Sequence, residues 1–181
     1  RSGRPELRTV VLRVVALALL LLLALVGVIT ARTLSRMPDT LVYLTRDTGR
    51  TFTLEAVPRV ARSGGLEDRV RAQVAALTAG PTPEEERDGL GTTVPEGTRV
   101  LGVRLDDGVL TVDLSREFTT GGGTASMVGR LNQLYYTLTQ PADVAAVSVT
   151  VEGRPLTVPG GEGIIVDPVW VRAEHPEVPS W

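Results

Sequence analysis

The stretch Arg99-Val100-Leu101-Gly102-Val103-Arg104-Leu105-Asp106-Asp107-Gly108-Val109-Leu110-Thr111-Val112-Asp113-Leu114 decides the fold. Two apolar runs with period two flank Asp107-Gly108, a dipeptide favoured in two-residue hairpin turns because both positions accept positive φ. A two-residue loop sets Leu105 opposite Leu110, Val103 opposite Val112 and Leu101 opposite Leu114, all on one face. A three-residue loop sets Leu105 against Val109 and Arg104 against Leu110, mixing the faces. A one-residue slip turns every side chain over, so the pattern selects the first register. The expectation is an antiparallel hairpin with one buried face.

Working outward, the elements on either side are helical. Leu66, Val70, Val74 and Leu77 form one helical stripe that Gly80 and Pro81 stop. Thr82-Pro83-Glu84-Glu85 reads as a fresh, short helix ending near Gly89, with Thr82 as cap, Pro83 first, and Glu85 as the return arm of a capping box. After the hairpin, Gly121-Gly122-Gly123 leads into a second long helix carrying Met127, Val128, Leu131, Leu134, Tyr135 and Leu138, which Pro141 ends. On this reading Tyr135 belongs to the stripe and Tyr136 points toward the surface.

Strands complete the set. Leu41-Val42-Tyr43-Leu44 comes first, and Thr51 to Val60 follows a turn at Asp47-Thr48-Gly49, with Phe52, Leu54 and Ala56 on one face. Val147, Val149 and Val151 alternate with polar residues, Gly153 turns the chain and Pro155 to Val158 return. Ile164 to Val171, broken by Pro168, reads as an edge strand or extended arm. The order β-β-α-β-β-α-β predicts an α+β, two-layer domain, two helices packing on a mainly antiparallel or mixed sheet.

Ahead of the domain, Val14 to Ala31 is an uncharged apolar run flanked by Arg1, Arg4, Arg8 and Arg13 before it and Arg32 and Arg36 after it. As a helix it is about 27 Å long, close to the hydrocarbon thickness of a bilayer. The run is longer than the usual hydrophobic region of a signal peptide, and Ile29-Thr30-Ala31 is a poor cleavage site. The reading is therefore a single transmembrane helix, with secretion after cleavage as the alternative. The arginine bias favours a cytoplasmic N-terminus and an extracytoplasmic C-terminal domain on a bacterial cytoplasmic membrane. The chain divides into 1–13 (basic N-terminus), 14–31 (transmembrane helix), 32–40 (short linker), 41–158 (domain) and 159–181 (C-terminal arm and tail).

Charge divides in the same way. Residues 1–36 hold six Arg and one Glu, net +5; residues 37–181 hold thirteen Arg and twenty acids, net −7. An acidic domain is a poor partner for nucleic acid, whose affinity rests on neutralised phosphates. The sequence has neither lysine nor cysteine. Schiff-base chemistry, a Walker-type phosphate loop, thiol catalysis, disulfides, thiolate metal sites and lipidation at a lipobox cysteine are all excluded.

These blocks, in this order, resemble the GerMN domain family of sporulation and spore-germination proteins. The resemblance covers about 41–158 and is most specific from Leu77 through Phe118. It rests on Gly80-Pro81-Thr82-Pro83-Glu84-Glu85, Gly89-Leu90, Val94-Pro95-Glu96-Gly97-Thr98, the hairpin with Asp107-Gly108, and Val112-Asp113-Leu114-Ser115-Arg116-Glu117-Phe118. Gln133 to Gln140 and Val151-Glu152-Gly153-Arg154-Pro155 also fit. The resemblance implies a small α+β module, tethered outside a bacterial membrane, that serves in envelope complexes, including ring-like assemblies of the sporulation channel, or accompanies signalling systems. It implies neither enzymatic activity nor a cofactor. An anchor helix stands here in place of a lipidated cysteine.

Candidate chemistry is sparse. Gly121, Gly122 and Gly123 before a helix can cradle an anion on backbone N–H groups, or serve as a connector; the nearest basic residues in sequence are Arg116 and Arg130. Asp113, Arg116 and Glu117 form either a polar site or an ion pair and turn at a strand end. Asp106-Asp107-Gly108 has the start of a calcium loop but not its later ligands, and reads as a hairpin turn. Carboxylates are abundant enough to leave a glycosidase pair open. His175, the single histidine, sits in a proline-rich tail rather than on a scaffold that could hold it as a base. Trp170 and Trp181, with Ile164, Ile165, Val166 and Val169, are candidates for docking onto a partner or onto the domain itself. The expected function is a non-enzymatic assembly or accessory module of the cell envelope, contacting the bilayer through 14–31 and other envelope proteins or itself. The alternatives are a binding module for cell-wall glycan or a small anion, and a carboxylate-dependent glycan hydrolase.

Overall fold

The computed structural model describes residues 4–34, 38–61, 64–156 and 169–181. The chain divides into two compact units, Arg1–Met37 and Pro38–Trp181. The first is one helix, α1 (Arg4–Leu34). Its stretch Thr9–Thr30 has 22 residues and a mean hydropathy of 2.9. At about 1.5 Å per residue this stretch is roughly 33 Å long. It is long and apolar enough to cross a membrane, as a signal sequence also is.

The second unit contains β1 (Thr40–Asp47), β2 (Phe52–Arg59), α2 (Leu66–Ala79), α3 (Pro83–Arg87), β3 (Leu90–Gly91), β4 (Val100–Asp106), β5 (Val109–Leu114), α4 (Thr124–Leu138), β6 (Ala146–Val151), β7 (Arg154–Pro155) and β8 (Trp170–Val171). The α+β expectation holds. The strands fall into two sheets rather than one: β2-β1-β3, and β4-β5-β6-β7 with β8 also paired to β6. All pairings are antiparallel except β5 with β6, which run parallel because α4 carries the chain between them.

The hairpin forms at the expected turn, with Asp107 and Gly108 both at positive φ, 47° and 79°. Leu105 faces Leu110 and Val103 faces Val112. The third expected pair does not form. A β-bulge between Val100 and Gly102 puts Val100 opposite Leu114 and leaves Leu101 exposed. Ser115 donates from its backbone N–H to Arg99 O (2.9 Å) and accepts the Arg99 N–H on its hydroxyl (3.0 Å), and Arg71 Nη1 donates to Val100 O. These bonds pin Arg99 and Val100 one residue out of simple register.

Leu110, Val112, Leu114, Phe118, Leu134 and Leu138 form the centre of the core. The α2 stripe buries Val70, Val74 and Leu77 as expected and half-buries Leu66. In β2, Phe52, Leu54 and Ala56 do share a face, but only Leu54 is buried; the other buried residue is Val57, opposite Val42 on the other face. Both faces of this small sheet are therefore covered in part. Tyr136 is also inside, 2% exposed, rather than at the surface. Its hydroxyl donates to Glu177 O (2.5 Å) and His175 O (3.3 Å) of the C-terminal segment, which covers it.

The capping box forms as read. Glu85 N–H donates to Thr82 Oγ1 (3.3 Å) and Thr82 N–H to Glu85 Oε2 (2.8 Å). The same carboxylate takes two bonds from Arg59, 2.8 and 2.5 Å, which ties α3 to the end of β2. Chiefly through Arg59, the Glu85 pKa falls to about 2. A carboxyl lowered on folding stabilises the folded state above its unfolded pKa of about 4.5, and that stability is lost as pH falls through about 2. Urea unfolding at pH 6 and pH 3 should therefore show a larger acid loss in the native chain than in Glu85→Gln. The expected difference is about 1 kcal/mol, because the pair is partly open to water.

Candidate interaction surface and its supports

Three groups of residues bear on function. The first joins α4 to β1. In β1 the residues whose backbone faces away from β2 are Leu41, Tyr43 and Thr45, and Thr45 lies against Gly91 of β3. Strand β3 is too short to reach the other two. Side chains of α4, and of Gln140 just past its end, supply the missing bonds. Gln140 accepts the Leu41 N–H (2.9 Å) and donates to Leu41 O; Thr137 Oγ1 accepts the Tyr43 N–H (3.0 Å); Gln133 Nε2 donates to Tyr43 O (3.0 Å). Gln133 Oε1 accepts from both the N–H and the hydroxyl of Thr93, each 2.8 Å. One face of the helix thus stands in for a strand. Gln133 and Thr137 are fully buried for that reason. The sequence reading missed this ladder. Its signal was polar residues at i, i+4 and i+7 on a helix whose apolar stripe was already filled.

The second group surrounds the glycine loop. Gly121 and Gly122 have φ of 66° and 71°, and Gly123 is the N-cap of α4 with no side-chain capping bond. The structure brings Arg130 to this loop from nearly two helical turns inside α4. Its guanidinium donates to Thr93 O (2.8 Å), Phe118 O (2.8 Å), Gly121 O (2.6 Å) and Ser126 Oγ (3.3 Å). Arg130 is 3% exposed, and burial pulls its pKa down from the usual guanidinium value. A Cβ on Gly122 would lie 2.5 Å from Ser126 Oγ, so the loop closes tightly over the arginine. Asp113, Arg116 and Glu117 do not converge. Asp113 Oδ1 accepts from Thr150 Oγ1 (2.7 Å) and the Gly153 N–H (2.9 Å), which fixes the β6–β7 turn. Glu117 lies about 4 Å from both Arg99 and Arg116. Ser115, with these arginines beside it, holds the Glu117 pKa below the usual carboxylate value. Among the described residues no group of three or more His, Asp or Glu side chains is arranged to hold a metal ion.

The third group is the C-terminal segment. Trp170, 8% exposed, stacks on Tyr135 (5.0 Å, 9°) and beneath His175 (4.9 Å, 7°), with Tyr136 tilted against it at 5.2 Å. Arg172 lies over the Tyr136 ring at 4.1 Å. Trp181 exchanges both backbone bonds with Phe52, 2.8 and 3.0 Å, and stacks on its ring. Both tryptophans of the candidate docking set are thus applied to their own domain, and Val169 remains exposed. Ile164, Ile165 and Val166 lie outside the described residues.

Arg154 and Pro155 pair with Val151 and Thr150, and Leu156 N–H donates to Val149 O (3.3 Å). Trp170 and Val171 pair with Val147 and Ala146, and Arg172 N–H donates to Ala145 O (3.0 Å). The outward ladder positions of β6 are therefore served across the break, as if by one strand. An uninterrupted strand needs one residue between Leu156 and Trp170, whereas the chain has thirteen. Strands β7 and β8 thus lie in line on one edge of β6, and residues 157–168 between them are outside the described residues.

This arrangement has relatives of known structure. The tandem GerMN domains of the sporulation protein GerM from Bacillus subtilis match at 19% identity and a TM-score of 0.57, over 74% of this chain and 46% of that one. The chain thus spans about half of the tandem structure. The first GerMN domain of the same protein matches at 18% identity and 0.56, over 75% of this chain and 99% of that one. A putative lipoprotein from Clostridium perfringens matches at 18% and 0.51, over 76% and 89%. At these identities the likeness is one of fold. No curated protein sequence matches. Residues 41–157, more than half of the chain, match the model of the Germane family, described as sporulation and spore germination, and the chain belongs to that family.

Proposed function

We propose that this protein is a non-enzymatic, membrane-tethered module whose domain works outside the cytoplasmic membrane of a bacterium, as an assembly or accessory part of an envelope complex. The observation that carries the reading is α1, whose stretch Thr9–Thr30 has 22 residues and a mean hydropathy of 2.9. A helix that long, apolar on every face, is stable only with an apolar phase around it. The arginines ahead of it favour an N-terminus held inside. The family and the fold support a scaffold role, and the polar clusters of the domain are consumed in structural bonds. The C-terminal arm with Ile164, Ile165 and Val166 is the contact element of this reading.

Protease treatment of intact spheroplasts tests the topology. The domain is expected to be digested from outside while the helix stays in the membrane fraction at its uncleaved mass. A domain protected until lysis overturns the reading. Crosslinking in intact cells is expected to trap neighbouring membrane proteins or further copies of the chain, and a domain that crosslinks to nothing counts against it.

A further inference from the structure

The edge of β2 already holds an extended segment of the chain itself. In β2 the outward N–H and C=O groups belong to Phe52, Leu54, Ala56 and Pro58, which lie opposite Asp47, Thr45, Tyr43 and Leu41 of β1. Trp181 takes both groups of Phe52, 2.8 and 3.0 Å, Ser180 pairs antiparallel with Thr53, and Thr53 Oγ1 donates to Pro179 O (3.4 Å). The side chain is seated as well. The Trp181 ring stacks on Phe52 at 6.3 Å and 29°, and it is partly buried against the core. A Cβ on Gly129 of α4 would stand 3.2 Å from Trp181 Cζ2, so the missing side chain at 129 lets the indole lie against the helix. The pairing stops where the tail's own sequence stops it. In this register Leu54 faces Pro179, which has no N–H for the Leu54 carbonyl. Among the described residues no other group bonds to the outward positions of Leu54 and Ala56. The β4 edge is open too at Val103 and Leu105, but among the described residues no segment pairs with it there.

We propose that the β2 edge and the hollow at Gly129 form one binding site for an extended segment of a partner protein. The segment adds as an antiparallel strand, with an aromatic ring at the position of Trp181 and a residue other than proline two positions before it. The tail 179–181 is the resident, displaceable occupant of that site. This goes beyond the assembly role and does not depend on which side of a membrane the domain lies. The seated tail shows the chemistry the site accepts: paired backbone bonds at Phe52 and a ring between Phe52 and α4. A partner segment gains what the tail forgoes. With an N–H opposite Leu54 and a further residue opposite Ala56, it adds up to four backbone bonds, two at each position. Pro58 ends the site on that side, since it has no N–H to offer. The tail has the opposite advantage. It is tethered, so it competes at a high effective concentration. A free segment must therefore make more bonds than the tail does, and the open positions at Leu54 and Ala56 are where it makes them.

The test uses the full chain in detergent micelles and a synthetic peptide of residues 175–181 carrying Pro179→Val. In the chain, Trp181→Ala empties the hollow and is expected to keep the native circular dichroism spectrum. The peptide is expected to bind this variant at least tenfold more tightly than the native chain, whose tail competes. Binding is expected to slow hydrogen exchange at the Leu54 and Ala56 amides. A peptide that also carries Trp181→Ala is expected to bind at least tenfold more weakly. A second variant needs no peptide: Pro179→Val within the otherwise native chain is expected to extend the tail's own pairing and slow exchange at Leu54. Absence of binding to the Trp181→Ala chain at millimolar peptide overturns the proposal. Equal binding to both chains, or binding that leaves exchange at Leu54 and Ala56 unchanged, overturns it too, as does a Pro179→Val chain whose Leu54 exchanges at the native rate. A peptide of the native tail sequence that binds as tightly as the Pro179→Val peptide overturns the foreign partner and makes the tail of a second copy the occupant.

Discussion

Gln133→Leu is expected to lower the free energy of unfolding by about 3 kcal/mol or more. Leucine is close to glutamine in size, so the cavity term is small. The loss is in polar satisfaction. Gln133 is fully buried and uses both ends of its amide, accepting from Thr93 N–H and hydroxyl and donating to Tyr43 O and Thr92 Oγ1 (3.3 Å). Leucine would leave a strand carbonyl and a loop N–H without partners, each a penalty of about 1–3 kcal/mol. Gln140→Leu provides the control. Its bonds to Leu41 lie at an exposed position, so water can replace them, and about 1 kcal/mol or less should be lost. Urea denaturation of both variants checks the contrast. Equal costs would show that the helix does not substitute for a strand at β1.

The second large effect is expected at Trp170. Truncation to alanine removes a ring stacked between Tyr135 and His175 and tilted on Tyr136, and it empties a buried site. Large aromatic-to-alanine changes in cores cost about 3–5 kcal/mol. The lower end applies here, because His175 is exposed and the C-terminal segment can relax toward the space. The loss also has a direction. Trp170 begins the segment that covers Tyr136 and closes the β2 edge at Trp181, so Trp170→Ala should speed hydrogen exchange at 171–181 and at Phe52 before the β4–β5 hairpin is affected. Uniform acceleration across the domain would mean that the segment is not a separate layer.

These two sites differ in how far the sequence foretold them. Trp170 stood out as an aromatic residue on a late arm, and self-docking was among its readings. Gln133 did not stand out, because a polar residue on an amphipathic helix ordinarily marks the wet side. The same limit explains the bulge at Leu101. Period two predicted three apolar pairs, but Arg71 and Ser115, from elsewhere in the chain, hold Arg99 and Val100 one step out of register. Tyr136 was misplaced for a like reason: what buries it is a segment about forty residues later.

What the sequence by itself determined is local. It specified the apolar helix, the Asp107-Gly108 hairpin, the capping box at Thr82 and Glu85, the stripes of α2 and α4, and the α+β class, since each depends on residues within a few positions of one another and on backbone geometry common to all chains. Tertiary structure alone decided that the strands form two sheets, that α4 completes β1 with glutamine and threonine side chains, that Arg130 closes the glycine loop, and that β7 and β8 share one edge of β6. Most of these arrangements join groups far apart in the chain, up to 99 positions. Such pairings are selected by which polar atoms remain unsatisfied once the core has closed, and no periodicity records that.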